Sequence, residues 1–277
     1  MTSISESASP VARHDYHVEI RRNQWHTLTI LFAFGGLLAL LGIVITLVVG
    51  LGIVGVVAVL VLAAVVTVGV YLSATPIALR YAHARPADGS EFPRYHNLVA
   101  GICIAAGLPK PTLYIVDDVA PNAFAAGRSP RRAVLVATTG LLDGLNRLEL
   151  EGVLAHELSH VKNDDILPAT VAVTAVGGLM VLGPVAGELM QFAVGSRREV
   201  LADASGVLIT RYPPGLCRAL KKIQANPAVV GHTSRAMSQL WFESPLTRDD
   251  HGRGSWLDRA FDTHPPLAER IRFLESM

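Results

Sequence analysis

The chain has 277 residues, enough for one medium-sized domain or two small ones. Hydrophobic residues make up 51% and charged residues only 17%, and the mean hydropathy of +0.39 is high for a soluble globular domain. The formal net charge of +1, without a basic stripe, argues against a nucleic-acid partner. Cys103 and Cys217 are isolated and lack metal or redox spacing, so two reduced, mostly buried thiols are expected.

A long apolar block follows the polar residues 1–26. The 47 residues from Leu28 to Ala74 contain no Asp, Glu, Lys, Arg or His, and about 20 apolar residues suffice to span a bilayer as a helix. Because Gly50-Leu51-Gly52 lies near the middle, the block predicts a transmembrane hairpin over residues 27–75, with spans at about 28–49 and 53–74.

Arginines on both flanks of this block predict its orientation. Three precede the first span and three follow the second, whereas the turn carries no positive charge. Since positive residues favour the cytoplasmic side, residues 1–26 and 76–277 are both expected in the cytoplasm. The arginines concerned are Arg13, Arg21, Arg22, Arg80, Arg85 and Arg94.

Residues 93–146 have the pattern of a compact α+β unit. Helical spacing over 93–109 is followed by short apolar or β-branched runs separated by turn-forming and charged residues, which predict a small antiparallel sheet. The predicted strands lie within 112–118, 122–127 and 132–138.

The next predicted helix carries the sequence His-Glu-Leu-Ser-His. Asn146 and Glu149 form a capping-box pattern at its start. His156 and His160 are four residues apart, so they project from one face and can bind one metal ion. Glu157 lies beside them, placed to take a proton from a water activated by zinc, the metal that suits imidazole ligands in such a motif.

A third protein ligand is needed to complete a catalytic zinc site. In one class of zinc protease it is a histidine within the next six residues, but Asn163 and Ile166 stand at the relevant positions. Asp164 continues the helical stripe of the two histidines, yet it would lie about 12 Å from His156 along the helix axis, too far to share an ion. Asp164 and Asp165 are therefore interpreted as helix-end groups or as partners of the ligands.

Glu199 is the remaining candidate ligand, on a separate predicted helix within the sequence Arg-Glu-Val-Leu-Ala-Asp. Asp203 follows one turn later on the same face, where it can accept a hydrogen bond from a ligating imidazole and fix its tautomer. Taken alone, Glu199 reads as a solvated helical glutamate; with the two histidines upstream and Asp203 downstream, the ligand interpretation is favoured.

Four motifs in this order resemble the M48 family of membrane zinc endopeptidases, in its HtpX-like branch. The resemblance extends over essentially the whole chain, including the apolar hairpin, although Val200 stands where many relatives have an aromatic residue. The motifs are Pro-Asn-Ala-Phe-Ala-Ala-Gly (121–127), His-Glu-Leu-Ser-His-Val-Lys-Asn-Asp-Asp (156–165), Arg-Glu-Val-Leu-Ala-Asp (198–203) and Thr-His-Pro-Pro-Leu-Ala-Glu-Arg-Ile (263–271).

The resemblance implies an α+β, mainly helical protein: a transmembrane hairpin, then a gluzincin-type metalloprotease domain with a small β-sheet and an inserted hydrophobic helical hairpin at 166–195. It implies one Zn²⁺ per subunit on His156, His160 and Glu199. Glu157 would be the general base and then the proton donor to the leaving amine. Asp165 occupies the family's downstream aspartate position.

Other implied roles concern the substrate. His264 and Arg270 occupy the family's positions for groups that stabilise the oxyanion, although a histidine before a helix-starting Pro-Pro is also ordinary. Asn122, Ala123 and Phe124 would lie on an edge strand that pairs with extended substrate, or they are simply sheet sequence. The loop around 242–255 is a candidate cover for the site, the alternative being a site open to lipid.

The ligand assignment constrains the second apolar stretch, Ile166–Val194. The two histidines precede it and Glu199 follows it, so it crosses the bilayer twice or not at all. One straight helix of its 29 residues would reach about 43 Å and cross once, and two crossings would leave only about 14 residues per arm. A bent hairpin, packed against the N-terminal pair and partly immersed, is favoured, with two short crossings as the alternative.

The function favoured is a multi-pass endopeptidase of the cell membrane with its active site facing the cytoplasm. The resemblance implies damaged or misassembled membrane proteins, or unfolded polypeptides, as substrates. Alternatives are a processing peptidase for one dedicated membrane or lipidated substrate, and a non-catalytic membrane scaffold of the same fold. The intact set of histidines, Glu199 and Asp203 weighs against the scaffold. The sequence predicts no particular oligomeric state.

Overall fold

The computed structural model describes residues 10–178, 197–231, 237–243 and 265–277. Within them the chain is mainly helical and has one small sheet, in agreement with the predicted fold class. His264, most of the predicted loop at 242–255 and residues 179–195 of the predicted insertion lie outside the described residues.

Two long apolar helices form the N-terminal hairpin: α1 (Pro10–Val49) and α2 (Gly52–Tyr81). The polar residues from Pro10 onward are continuous with the first span in one helix. The turn depends on glycine, because Gly50 and Gly52 have φ of +77° and +60°, a left-handed conformation that glycine adopts at little cost. The apolar parts, Thr27–Val49 and Gly52–Tyr81, are each long enough to cross a membrane.

Four short strands form one mixed sheet in the order β1-β2-β4-β3: β1 (Arg85–Pro86), β2 (Thr112–Val116), β3 (Ala123–Gly127) and β4 (Ala133–Thr138). β2 and β4 pair in parallel, whereas β3 pairs antiparallel with β4 and β1 antiparallel with β2.

The predicted antiparallel sheet is thus wrong in one pairing, and β1 was not predicted. β4 lies between β2 and β3 and runs parallel to β2, so β3 is the outer strand of the sheet. Strand order of this kind depends on packing against helices and not on the local pattern of each strand.

Both faces of the sheet are covered, which explains why β3 and β4 are buried at every position. On one face, Ala125 and Leu135 pack with α3 (Pro93–Ala106) and α5 (Arg147–Lys162). On the other face, Phe124 and Val136 pack with the end of α2 and with α6 (Ile166–Gly178).

The first helix of the predicted insertion, α6, packs against the N-terminal pair. Ala169, Ala172 and Val173 share a cluster with Ala78, near the end of α2. Gly127 donates its backbone N–H to Thr170 Oγ1 at 3.1 Å, which ties the sheet to α6. The remaining helices are α4 (Thr139–Gly144), α7 (Arg197–Thr210), α8 (Pro213–Ala225) and α9 (Leu267–Glu275).

Candidate metal centre

The helix that carries both histidines begins at a complete capping box, as predicted. The Asn146 side chain accepts from the backbone N–H of Glu149 at 3.1 Å, and the Glu149 carboxylate accepts from the Asn146 N–H at 2.9 Å. Lys222 on α8 donates to the same carboxylate at 2.7 Å. The cap fixes where α5 begins and therefore which face its later turns present.

The predicted ligands come together at the buried middle of the domain. One nitrogen each from His156 and His160 and one carboxylate oxygen from Glu199 all lie within 4.8 Å of one another. The Nε2 atoms of the two histidines are 3.2 Å apart, and the Glu199 oxygens lie 3.3 Å and 3.6 Å from them. Ligands about 2.0–2.1 Å from a tetrahedral ion stand about 3.3 Å from each other, so this spacing fits one ion.

Carboxylates behind the histidines fix the ring nitrogens that face the site. His156 Nδ1 is 2.8 Å from Asp203, and His160 Nδ1 is 3.0 Å from Asp165. Each Nδ1 then carries the proton that it donates to its carboxylate, so each Nε2 presents a lone pair to the centre. Two imidazole lone pairs and a carboxylate that face one point can together bind a metal cation.

The local electrostatics also favour positive charge at this point. Burial acts to lower the pKa of His156, but the carboxylates of Asp203 and Glu199 outweigh it, and the pKa is raised to about 9. Without a metal ion the Nε2 atom therefore carries a proton at neutral pH, and a bound cation would take the place of that proton. The same imidazole is completely buried, so a cation held there is little screened by water.

Close contact between two helices brings Glu199 and Asp203 to the histidines. A Cβ at Gly206 would lie 3.0 Å from the His156 backbone nitrogen and 3.1 Å from its Cα. Because glycine leaves that space free, α7 crosses α5 at backbone distance. Glu199 and Asp203, four residues apart on α7, then project from one face toward the two imidazoles.

Arg270 on α9 lies behind the metal ligands. Its guanidinium donates to both Asp203 oxygens, from Nε at 2.8 Å and from Nη2 at 2.7 Å, and its Nη1 is 4.0 Å from a Glu199 oxygen. Burial acts against the charge, yet Asp203 raises the pKa of Arg270 above its ordinary value, and the guanidinium in turn helps to lower the pKa of Asp203.

The role of Arg270 as an oxyanion donor stays a prediction. The structure shows its bidentate pair with Asp203, a contact that holds the carboxylate partner of His156 in place.

Glu157 is buried beside the ligands on α5. Burial raises its pKa above the ordinary glutamate value, although His156 and His160 act in the opposite direction. A carboxylate held in this way accepts a proton more readily than one in water, which suits a general base.

Asn122, Ala123 and Phe124 lie at the start of β3, on the outer edge of the sheet. The side-chain amide of Asn122 donates a hydrogen bond to the Glu243 carbonyl, and the Ala123 carbonyl accepts one from the Phe242 N–H.

Phe242 begins the loop that was predicted as a candidate cover for the site, but its contact with a metal ligand was not predicted. Its ring packs edge-on against His156, with centroids 4.9 Å apart, and Arg270 lies over it at 4.7 Å. The only local signal was the aromatic pair Trp241-Phe242 in a polar stretch.

Comparison with known proteins identifies the family of this chain. The family model described as peptidase family M48 matches residues 90–277. The chain belongs to peptidase family M48. A protease HtpX homolog from Dictyoglomus thermophilum is 36% identical over 294 aligned positions that cover 95% of each chain. One from Streptococcus mutans is 33% identical over 306 positions, covering 94% of this chain and 99% of the relative.

A third homolog, from Dictyoglomus turgidum, is 38% identical over 239 positions that cover 75% of this chain and 77% of the relative. The protein is thus an HtpX-like M48 membrane protease, and the M48 domain contains all the ligands of the candidate centre.

Proposed function

We propose that this M48 protease is a zinc-dependent endopeptidase that cleaves membrane proteins on the cytoplasmic side. The observation that carries the proposal is the donor set of His156, His160 and Glu199, whose mutual spacing fits one tetrahedral ion. Two imidazoles and one carboxylate are ligands that suit Zn²⁺ and leave a fourth position open. Zinc, when bound, supplies a Lewis acid that activates water and polarises the scissile carbonyl.

Glu157 is the proposed general base of the reaction. Its carboxylate takes a proton from the attacking water and then delivers it to the nitrogen of the leaving amine. His156 and His160 hold their Nε2 atoms toward the reaction centre because Asp203 and Asp165 accept hydrogen bonds from the opposite ring nitrogens. His264 remains a proposed donor to the oxyanion, on the resemblance alone.

The proposed orientation rests on the charges beside the membrane helices. Arg80 lies in the last turn of α2, and Arg85 and Arg94 follow it closely, whereas the turn at Gly50 has no basic residue. The positive-inside preference then assigns the end of α2 and the M48 domain to the cytoplasm.

The proposed substrates are extended segments of damaged or misassembled membrane proteins. β3 is an edge strand, and Asn122, Ala123 and Phe124 lie at its start. Phe242 links this end of the strand to the metal ligands, since its N–H bonds the Ala123 carbonyl and its ring contacts His156. Pairing with a strand edge recognises backbone and tolerates many sequences, as the removal of varied unfolded proteins requires.

The decisive experiment compares wild type with Glu157→Gln in detergent or lipid bilayers, using an unfolded membrane protein as substrate. The variant should cleave about 10²- to 10⁴-fold more slowly, since it lacks the base, and should keep its zinc. Glu151→Gln, the same change six residues earlier on α5, is the matched control and should keep wild-type activity. Undiminished cleavage by Glu157→Gln contradicts the mechanism.

Metal analysis tests the ligand set separately. Wild type should contain about one zinc per chain, and Glu199→Ala should contain much less after identical purification, because one of three protein ligands is removed. Equal zinc in the two proteins contradicts the assignment of Glu199. Mapping the cleavage sites distinguishes a broad endopeptidase from a peptidase with one dedicated substrate.

A further inference from the structure

Residues 241–243, which we call the strap, lie against the start of β3 at its outer edge. The strap makes a backbone hydrogen bond to the strand: the Phe242 N–H donates to the Ala123 carbonyl at 2.7 Å. This is the edge to which extended substrate is proposed to bind, so the strap and the substrate backbone require the same hydrogen-bonding groups.

Strand alternation identifies the groups that are involved. The Asn122 carbonyl points inward and accepts from the Thr138 N–H on β4 at 3.0 Å. Backbone groups of the next residue, Ala123, therefore point outward, as do those of Ala125 and Gly127. The Ala123 carbonyl accepts a hydrogen bond from the strap, and the Gly127 N–H donates one to Thr170. Ala125 therefore lies between two residues whose outward groups are already hydrogen-bonded.

Asn122 fastens the strap in place. Its side-chain amide donates to the Glu243 carbonyl at 2.8 Å, and its side-chain oxygen lies 3.1 Å from the Glu243 N–H, which donates to it. A primary amide that bonds both backbone groups of one residue substitutes for a neighbouring strand residue. The side chain is buried, which protects both bonds from water.

The strap also reaches the metal ligands. Besides the contact of its ring with His156, Phe242 accepts a hydrogen bond at its carbonyl from Arg270 Nη1 at 3.3 Å. Trp241 anchors the segment: it is fully buried and packs edge-on against Phe124 at 4.8 Å. The strap is a bend at the start of β3, where the Phe242 N–H meets an outward-facing carbonyl of the strand while the Phe242 ring contacts a ligating histidine. One residue of a bound peptide is expected to have this placement.

We infer that the strap is an internal substitute for substrate, and that Phe242 and Glu243 must leave the β3 edge before a peptide is cleaved. Trp241 stays as the fixed end. The hydrogen bonds that open are those of Phe242 to Ala123 and Arg270 and the two between Glu243 and Asn122. The inference rests on the proposed function, since it assumes that substrate pairs with β3. It assigns to this protease a substrate class: unstructured polypeptide able to replace the strap, with a large apolar side chain in the position of Phe242.

Hydrogen exchange in the full-length Glu157→Gln variant tests this directly, because that variant should bind peptide without cleaving it. The probe is a synthetic peptide with the sequence of residues 237–243, Met-Ser-Gln-Leu-Trp-Phe-Glu. Peptide binding should speed exchange at the amides of Phe242 and Glu243 and slow exchange at Ala125. Unchanged or slower exchange at Phe242 and Glu243, with the peptide bound, overturns the inference.

Substitution of Glu243 provides a second test with a matched control. Glu243→Pro removes the N–H that donates to Asn122, whereas Glu243→Ala keeps it. Loss of one such bond should raise the kcat/KM for a short unstructured peptide about two- to tenfold over Glu243→Ala, mainly through a lower KM. A rate equal to or below that of Glu243→Ala means that the strap is a fixed wall of the cleft.

The two tests separate this inference from the proposed function. If Glu157→Gln is inactive but neither test moves the strap, the strap inference fails and the peptidase mechanism stands. If Glu157→Gln cleaves as wild type does, the proposed function itself fails.

Discussion

Helices α2 and α5 have opposite distributions of polarity and burial. Of the 30 residues of α2, three are buried, all alanine, and the side chains around them are exposed and apolar. Of the 16 residues of α5, twelve are buried, and these include Glu149, His156, Glu157, Ser159 and His160. The difference shows that a side chain on the surface of this protein does not necessarily contact water, because the surface of α2 is apolar and long enough to lie in a membrane.

The physical reason is the supply of partners around each helix. Lipid offers none, so the α2 surface is apolar and Thr67 bonds to the Ala63 carbonyl of its own helix at 2.7 Å. The domain around α5 offers carboxylates and backbone groups, and Ser159 bonds to the Ala155 carbonyl while both histidines pair with aspartates. Buried polar groups are tolerated where such partners exist.

The largest effect is expected when the carboxylate that pairs with His156 of α5 is removed. Asp203→Asn removes the nearest counter-charge of the buried Arg270 guanidinium and weakens the hydrogen bond that orients His156. We expect a loss of about 3–5 kcal/mol in the free energy of unfolding, measured by thermal denaturation in detergent. Metal affinity should fall about 10- to 100-fold.

Asp165→Asn is the matched control, because it affects His160 but no buried arginine. Its loss of stability should be clearly smaller than that of Asp203→Asn. Equal losses would show that the pair between Asp203 and Arg270 contributes little.

The second test places a charge on the surface of α2. Val61 is 58% exposed near the middle of the apolar run, and Val61→Arg should cost about 2.5–3.5 kcal/mol of membrane insertion if that surface meets lipid. The measurement is the fraction of protein that resists extraction by alkaline carbonate. Val119, 80% exposed in a loop of the M48 domain, is the control, and Val119→Arg should change insertion little.

The third test examines packing around α5. Gly206→Ala forces a methyl group against the His156 backbone, so it should destabilise the domain by about 1–3 kcal/mol and disturb metal binding. Gly101→Ala on α3 meets no atom within 4 Å and should instead stabilise by about 0.5–1 kcal/mol, through the helix preference of alanine. Thermal unfolding of the two variants should therefore shift in opposite directions.

The smallest effect concerns the start of α5. Burial acts to raise the pKa of Glu149, but the hydrogen bonds from Lys222 and the Asn146 amide outweigh it and lower that pKa. The ionised carboxylate therefore stabilises the fold above its unfolded pKa, and this stability is lost as the pH falls through the lower folded pKa. Glu149→Gln should cost about 1 kcal/mol at neutral pH and nothing in strong acid. A difference that is independent of pH contradicts this account.

Local patterns in the sequence determined much of the fold and of the site. The uninterrupted apolar block predicts the two long helices because a bilayer requires a minimum length of apolar helix. Spacings of four residues place His156 beside His160 and Glu199 beside Asp203, since the helix repeat is the same wherever the helix lies. The capping pattern at Asn146 likewise depends only on its own turn.

Contacts between distant segments were decided by the tertiary structure alone. The parallel pairing of β2 with β4 depends on how helices cover the sheet, and the pairing of Arg270 with Asp203 joins residues 67 positions apart. Gly206 gives no local sign that it marks a helix crossing, and Asn122 gives none that its amide bonds Glu243. Such contacts depend on which surfaces meet when apolar area is buried, and a single segment does not encode its partner.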